Sequence, residues 1–155
     1  MPAVVEDTVR EVLEEVVAAL GLKGKVEVER DDDVVTGTVH GEDLGLFIGR
    51  HGQTIDAVQH LIFRIALARG AGDEGDLRVV IDAEGYRGRR AEALQRVADQ
   101  AADDARRYGR PVALDAMTAS ERKLVHEYLR DRGDVETYSE GEEPDRHLVV
   151  APLVV

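Results

Sequence analysis

From Val5 to Leu20 the apolar residues Val5, Val9, Val12, Leu13, Val16, Val17 and Leu20 recur at three- and four-residue steps, and directly beyond them the repeat drops to two. That change of period constrains the fold more than any other feature. An amphipathic helix ending near Gly21 must bury its stripe, and the alternating segments 25–30 and 34–40, joined by a turn at Asp31-Asp32-Asp33, supply a sheet that can receive it. The pattern then reverts. Residues 43–48 suit a turn or two of helix, Gly49-Arg50-His51-Gly52 interrupts, and Ile55, Val58, Leu61, Ile62 and Ile65 mark a longer helix that stops near Gly70. After a loop at 71–75, Leu77, Val79 and Ile81 alternate as one more strand, completing a unit of about 82 residues.

A second set of elements opens at Gly85. Leu94, Val97, Ala98, Ala101, Ala105 and Tyr108 predict a long helix whose other faces carry arginines, and Gly109-Arg110-Pro111 ends it. An extended piece at 112–114 leads to Thr118-Ala119-Ser120-Glu121, where Thr118 can cap a helix and Glu121 can answer it three residues later. That helix runs to about Arg132, and 135–140 with 146–150 read as a hairpin. The expectation is an α+β chain of two small α/β sandwich domains. Residues 1–83 have the order αββααβ, and 84–155 combine helices with a three-stranded sheet.

The charge balance is uneven. Among 155 residues, 20 Lys and Arg face 32 Asp and Glu, giving −12, a poor overall match to a polyanion. Yet residues 46–70 hold three bases and one acid, and 85–132 hold eleven and eight, so two basic islands sit in an acidic frame. Cysteine is absent, which excludes disulfides, thiolate metal sites and cysteine nucleophiles. No run approaches the roughly 18 apolar residues of a membrane span, and the N-terminus is acidic, so a soluble, cytoplasmic protein without membrane attachment is expected. The five histidines lack ligand spacing, no Lys-bearing phosphate loop occurs, and no Gly-x-Ser-x-Gly is present. A non-enzyme without metal or cofactor is therefore expected.

Two glycines separated by two residues between helices let the backbone turn and let a phosphodiester approach closely, with the next helix presenting amides. Arg50 and His51 add positive charge there, and Gln53 opens the helix beyond. As a bare pattern, Gly49-x-x-Gly52 is equally the corner of a helical turn. The whole run 44–59, Leu-Gly-Leu-Phe-Ile-Gly-Arg-His-Gly-Gln-Thr-Ile-Asp-Ala-Val-Gln, however, resembles the core of a KH domain, a family that clamps about four nucleotides of single-stranded nucleic acid with such a loop. The flanking helix and strands resemble its type II arrangement. Phe47, Ile48 and Ile55 can equally serve as packing between the helices.

On the later helix, about 100° per residue puts Arg122, His126, Arg130 and Lys123 along one edge and Leu124, Val125, Tyr128 and Leu129 on the opposite, core side. A basic edge can hold phosphates or can simply be solvated. Residues 120–129 and 136–146 resemble the single-stranded nucleic-acid-binding domain named for an Arg-x-x-x-His motif, matched by Arg122 and His126, with Arg146 at a basic position of its last strand. Both motifs in this order resemble the Jag family of bacterial proteins, also called KhpB-type, over roughly 5–153; the N-terminal Jag domain of many relatives has no counterpart in this sequence.

That resemblance implies single-stranded RNA binding, with ssDNA as an open alternative, through Gly49, Arg50, His51, Gly52, Gln53, Arg122, His126 and Arg146. Arg87, Arg89, Arg90, Lys123 and Arg130 are additional candidate phosphate contacts. It further implies a post-transcriptional regulator or RNA chaperone linked to cell elongation or division, with a small KH-domain protein as partner. The net charge keeps open a protein-interaction scaffold, and a single-strand nuclease is the enzyme alternative. The RNA reading requires residues 49–52 at the surface and an Arg122 guanidinium that no neighbouring carboxylate consumes.

Overall fold

The structure, a computed structural model, describes residues 2–153. Its elements follow the order α1 (Pro2–Ala19), β1 (Gly24–Asp31), β2 (Val34–Gly41), α2 (Gly45–Ile48), α3 (Gln53–Ala68), β3 (Arg78–Ala83), α4 (Tyr86–Tyr108), β4 (Val112–Ala113), α5 (Ala119–Leu129), β5 (Val135–Glu140) and β6 (His147–Pro152), with a 3-10 turn at Arg50–Gly52. The architecture is the expected α+β with two small domains, and the chain divides into compact units at Arg87 and Gly88.

In the first unit, β1 and β2 pair antiparallel, Lys25 opposite His40 and Arg30 opposite Val35, and β3 joins β2 in parallel, Val79 beside Val35. Strand alternation sends Val35, Val39, Val79 and Ile81 to the face covered by α1 and α3, where they meet Val5, Val9, Leu13, Ile55 and Ile62 in one core. Gly37 faces the same way in the middle of β2, and a Cβ there would come within 2.7 Å of the Leu13 side chain, so α1 lies close against the strand.

The edge at β3 is closed by side chains. Gln59 Oε1 accepts from Ile81 N at 2.9 Å, and Arg87 Nε donates to Ile81 O at 2.7 Å. Arg87 also reaches Gln59 Oε1 (3.1 Å) and Asp56 (2.9 Å). Its backbone N–H donates to the Asp82 carboxylate at 3.1 Å, and Tyr86 packs on the first core. The first turn of α4 thus belongs physically to the first unit, four residues later than the sequence-based division at 83 and 84.

In the second unit, β6 lies between β4 and β5, antiparallel to both. The core joins Leu94, Ala98, Ala101, Ala102 and Ala105 of α4 to Val125 and Leu129 of α5 and to Leu148 and Val150 of β6. Three apolar positions depart from expectation. Val97 and Tyr108 of α4 are exposed because the face carrying Leu94 and the alanines is the one that contacts the core. Tyr128 is exposed as well, its hydroxyl donating to Asp99 at 2.8 Å.

Candidate nucleic-acid interface

The loop between α2 and α3 is fixed by backbone conformation. Gly49 has φ +75° and Gly52 has φ +81°, and His51 between them is left-handed at φ +55°, a region His tolerates better than most side chains. A Cβ on Gly49 would sit 2.8 Å from Thr54 N, so Gly49 is required sterically as well, whereas Gly52 is favoured chiefly by its positive φ, a Cβ there making a tight 3.1 Å approach to the Tyr86 ring. Phe47 and Ile55 are fully buried on either side of the loop and anchor it, which assigns them to packing, whereas Leu46 is exposed.

Arg50, His51 and Gln53 are exposed, whereas Gly49 is half-buried and Gly52 is buried, so the expected surface position holds for the two side-chain-bearing residues of 49–52 and not for Gly52. Among the described residues, neither the Arg50 nor the His51 side chain has a hydrogen-bond or ion-pair partner. The loop cation is open to solvent, whereas Arg30, Arg69, Arg90 and Arg132 are held by carboxylates at 2.6 to 3.1 Å. An uncommitted, exposed guanidinium on such a turn is suited to anions.

The second basic region is built differently. Arg122, Lys123 and His126 of α5 face Thr137 and Ser139 of β5 across an open groove of about 390 Å³. Lys123 is exposed, and His126 is hydrogen-bonded through Nδ1 to Thr137 Oγ1, which fixes the ring and leaves Nε2 without a partner among the described residues. Thr137 lies outside the residues that the sequence pointed to, although strand alternation places it on the helix-facing side with Ser139.

Arg122 departs from the open basic edge expected of it, and the condition that no neighbouring carboxylate engage its guanidinium is not met. It is only 8% exposed, with Nη1 donating to Met117 O and Nη2 lying 2.6 Å from the Glu143 carboxylate. Arg146 precedes β6 instead of lying within it, and its Nη1 donates to Gly141 O at 2.6 Å, closing the hairpin loop. Thr118 caps α5 as expected, accepting from Glu121 N at 3.3 Å, but the Glu121 carboxylate holds Arg90 at 2.9 Å. Arg90 and Arg87 are therefore engaged within their own units. Arg89 is exposed on α4, and Arg130, also exposed, has Glu127 at 3.9 Å.

A glycine-hinged cationic loop between two helices on a three-stranded sheet, followed by a helix that pairs Arg with His four residues on over a second small sheet, defines a tandem of two nucleic-acid-binding folds. Comparison with known families agrees: residues 6–81 match the KhpA/KhpB KH domain, and residues 92–152 match the domain named for the Arg-x-x-x-His motif. The chain belongs to the Jag, or KhpB, family.

Among similar proteins is RNA-binding protein KhpB of Clostridium symbiosum, 34% identical over 148 residues, covering 94% of this chain and 65% of that protein. The KhpB of Bacillus subtilis (strain 168) is 35% identical over 141 residues, 90% of this chain and 66% of its own length. That of Lactiplantibacillus plantarum is 38% identical over 136 residues, 88% of this chain and 41% of its own. The chain thus spans about two thirds or less of these relatives. Among the described residues, no helix is long and apolar enough to cross a membrane.

Proposed function

We propose that this protein binds single-stranded RNA without chemical turnover, gripping the sugar-phosphate backbone at Gly49-Arg50-His51-Gly52 and a second stretch in the groove of Arg122, Lys123 and His126. The observation that carries this reading is the open, unpartnered pair Arg50 and His51 on a loop whose two glycines both take positive φ. The names of the relatives, RNA-binding protein KhpB, support the same ligand. In the second groove a phosphate takes the place of the exposed Glu143 carboxylate on Arg122, and Arg146 holds the hairpin in position from below. The family resemblance extends the proposal to a cytoplasmic post-transcriptional regulator or RNA chaperone linked to cell elongation or division and working with a small KH-domain partner.

A titration of labelled single-stranded RNA against salt tests the reading. With Z phosphates contacted, log K falls with log salt at a slope of about −0.7Z, so three to five contacts give about −2 to −3.5. The rival reading, a protein-interaction scaffold, is favoured by the net charge of −12 and by the carboxylate seated on Arg122, and it entails no salt-dependent RNA binding.

A further inference from the structure

The end of α4 carries an arrangement that neither motif includes. Tyr108, the last residue of the helix, is 59% exposed, and the guanidinium carbons of Arg107 and Arg110 lie 5.6 Å and 5.7 Å from its ring centroid. Among the described residues, neither arginine has a carboxylate partner; Arg132 holds Asp103 at 3.1 Å and Asp134 at 3.0 Å, Arg106 lies 3.7 Å from Asp134, and Asp104, one turn earlier on α4, accepts from Gln100 at 3.0 Å. An exposed aromatic ring flanked by two cations with no internal anion is the chemistry that takes an unpaired base on the ring or on a guanidinium plane and the adjoining phosphates on the charges.

The patch is separate from the Arg122–His126 groove. Val112 of β4 and Thr137 of β5 pair with the same residue, Val150, from opposite sides, so the groove borders one edge of the sheet and the Tyr108 segment leads into the other. Two strand spacings, about 10 Å, separate those edges.

We propose that Tyr108, Arg107 and Arg110 form a third RNA contact, a stacking platform for one unpaired base with its flanking phosphates on the two arginines. This rests on the reading of the chain as a single-stranded RNA binder and adds to it a base-contacting site.

The test uses the full chain and a fluorescein-labelled 20-nucleotide single-stranded RNA of random sequence. Tyr108→Ala should weaken binding about tenfold while Tyr108→Phe binds like wild type, because the ring and not the hydroxyl makes the contact. The double change Arg107→Gln/Arg110→Gln should flatten the salt slope by about 1.4, the share of two phosphates. The chain contains no tryptophan, so Tyr108→Trp creates a single reporter whose emission RNA should quench at the concentrations where anisotropy reports binding. That readout does not depend on equal stability of the variants. Unchanged affinity and slope in the Ala and Gln variants, or an unquenched tryptophan under saturating RNA, would overturn the platform while leaving RNA binding by the wild type standing. A wild-type chain that fails to bind the oligonucleotide would overturn the RNA reading and the platform together.

Discussion

Nη2 of Arg122 lies 2.6 Å from the carboxylate of Glu143, and the two side chains are unequal: the guanidinium is buried and the carboxylate is mostly open to solvent. An anion that enters the groove meets this cation only by displacing Glu143. Removing the competing charge with Glu143→Gln should therefore tighten RNA binding about two- to fivefold, the range expected of a partly exposed ion pair worth about 1 kcal/mol or less. Anisotropy titrations of the two proteins at one salt concentration check this, and weaker binding by the variant would contradict it.

Arg122 also has a structural task. Its Nη1 donates to Met117 O, just before the cap of α5, and lies 3.5 Å from Arg146 O, just before β6. Arg122→Met keeps the buried stem but removes the donor from those carbonyls, which should lower unfolding free energy by about 1–3 kcal/mol in a urea melt. A variant as stable as wild type would show that these bonds contribute little.

Gly37 permits the close seat of α1 on β2. Gly37→Ala forces a methyl to within 2.7 Å of Leu13, overpacking that should cost about 1–3 kcal/mol in the same melt. The loop at 49–52 is elsewhere in the unit, so RNA affinity measured well below the melting temperature should be unchanged.

His40 stands between Glu27, 2.6 Å from Nε2, and Glu84, 3.3 Å from Nδ1, with Lys25 as its cross-strand neighbour and Glu29 two residues beyond Glu27. The hydrogen bond that the protonated ring donates to Glu27 raises the imidazole pKa above its usual 6.5, with Glu84 acting in the same direction. A raised value in the folded state means that the protonated ring stabilises the fold fully below about pH 6.5, and that this contribution fades as pH rises through the raised value. The melting temperature of wild type should accordingly fall relative to that of His40→Gln as pH increases from 6 to 8.5. Parallel curves for the two proteins would contradict this.

The alternation of helical and strand periods in the sequence carries most of the fold, because each element buries one face against a single small core and thus has one clean pattern. The loop glycines were legible for the same local reason. What escaped was set by contacts between distant segments. The helical wheel puts Arg122 at the margin of α5, and only the return of Met117, Glu143 and Arg146 around it makes that margin an interior. Arg87 looked like a surface cation until Ile81, Gln59 and Asp56 gathered on it at the sheet edge. Tyr108 fitted the apolar spacing of α4, but the alanine face of that helix leaves the ring outside.

The central claim is that the uncommitted cations at 50 and 51 hold RNA. Both side chains are exposed, and Asp tolerates the left-handed conformation at 51, so Arg50→Asp/His51→Asp should unfold at the wild-type denaturant midpoint. In a salt titration with single-stranded RNA, the account predicts loss of most of the wild-type affinity and a shallower slope. Wild-type affinity and slope in the double variant would contradict it and move the binding surface elsewhere on the molecule.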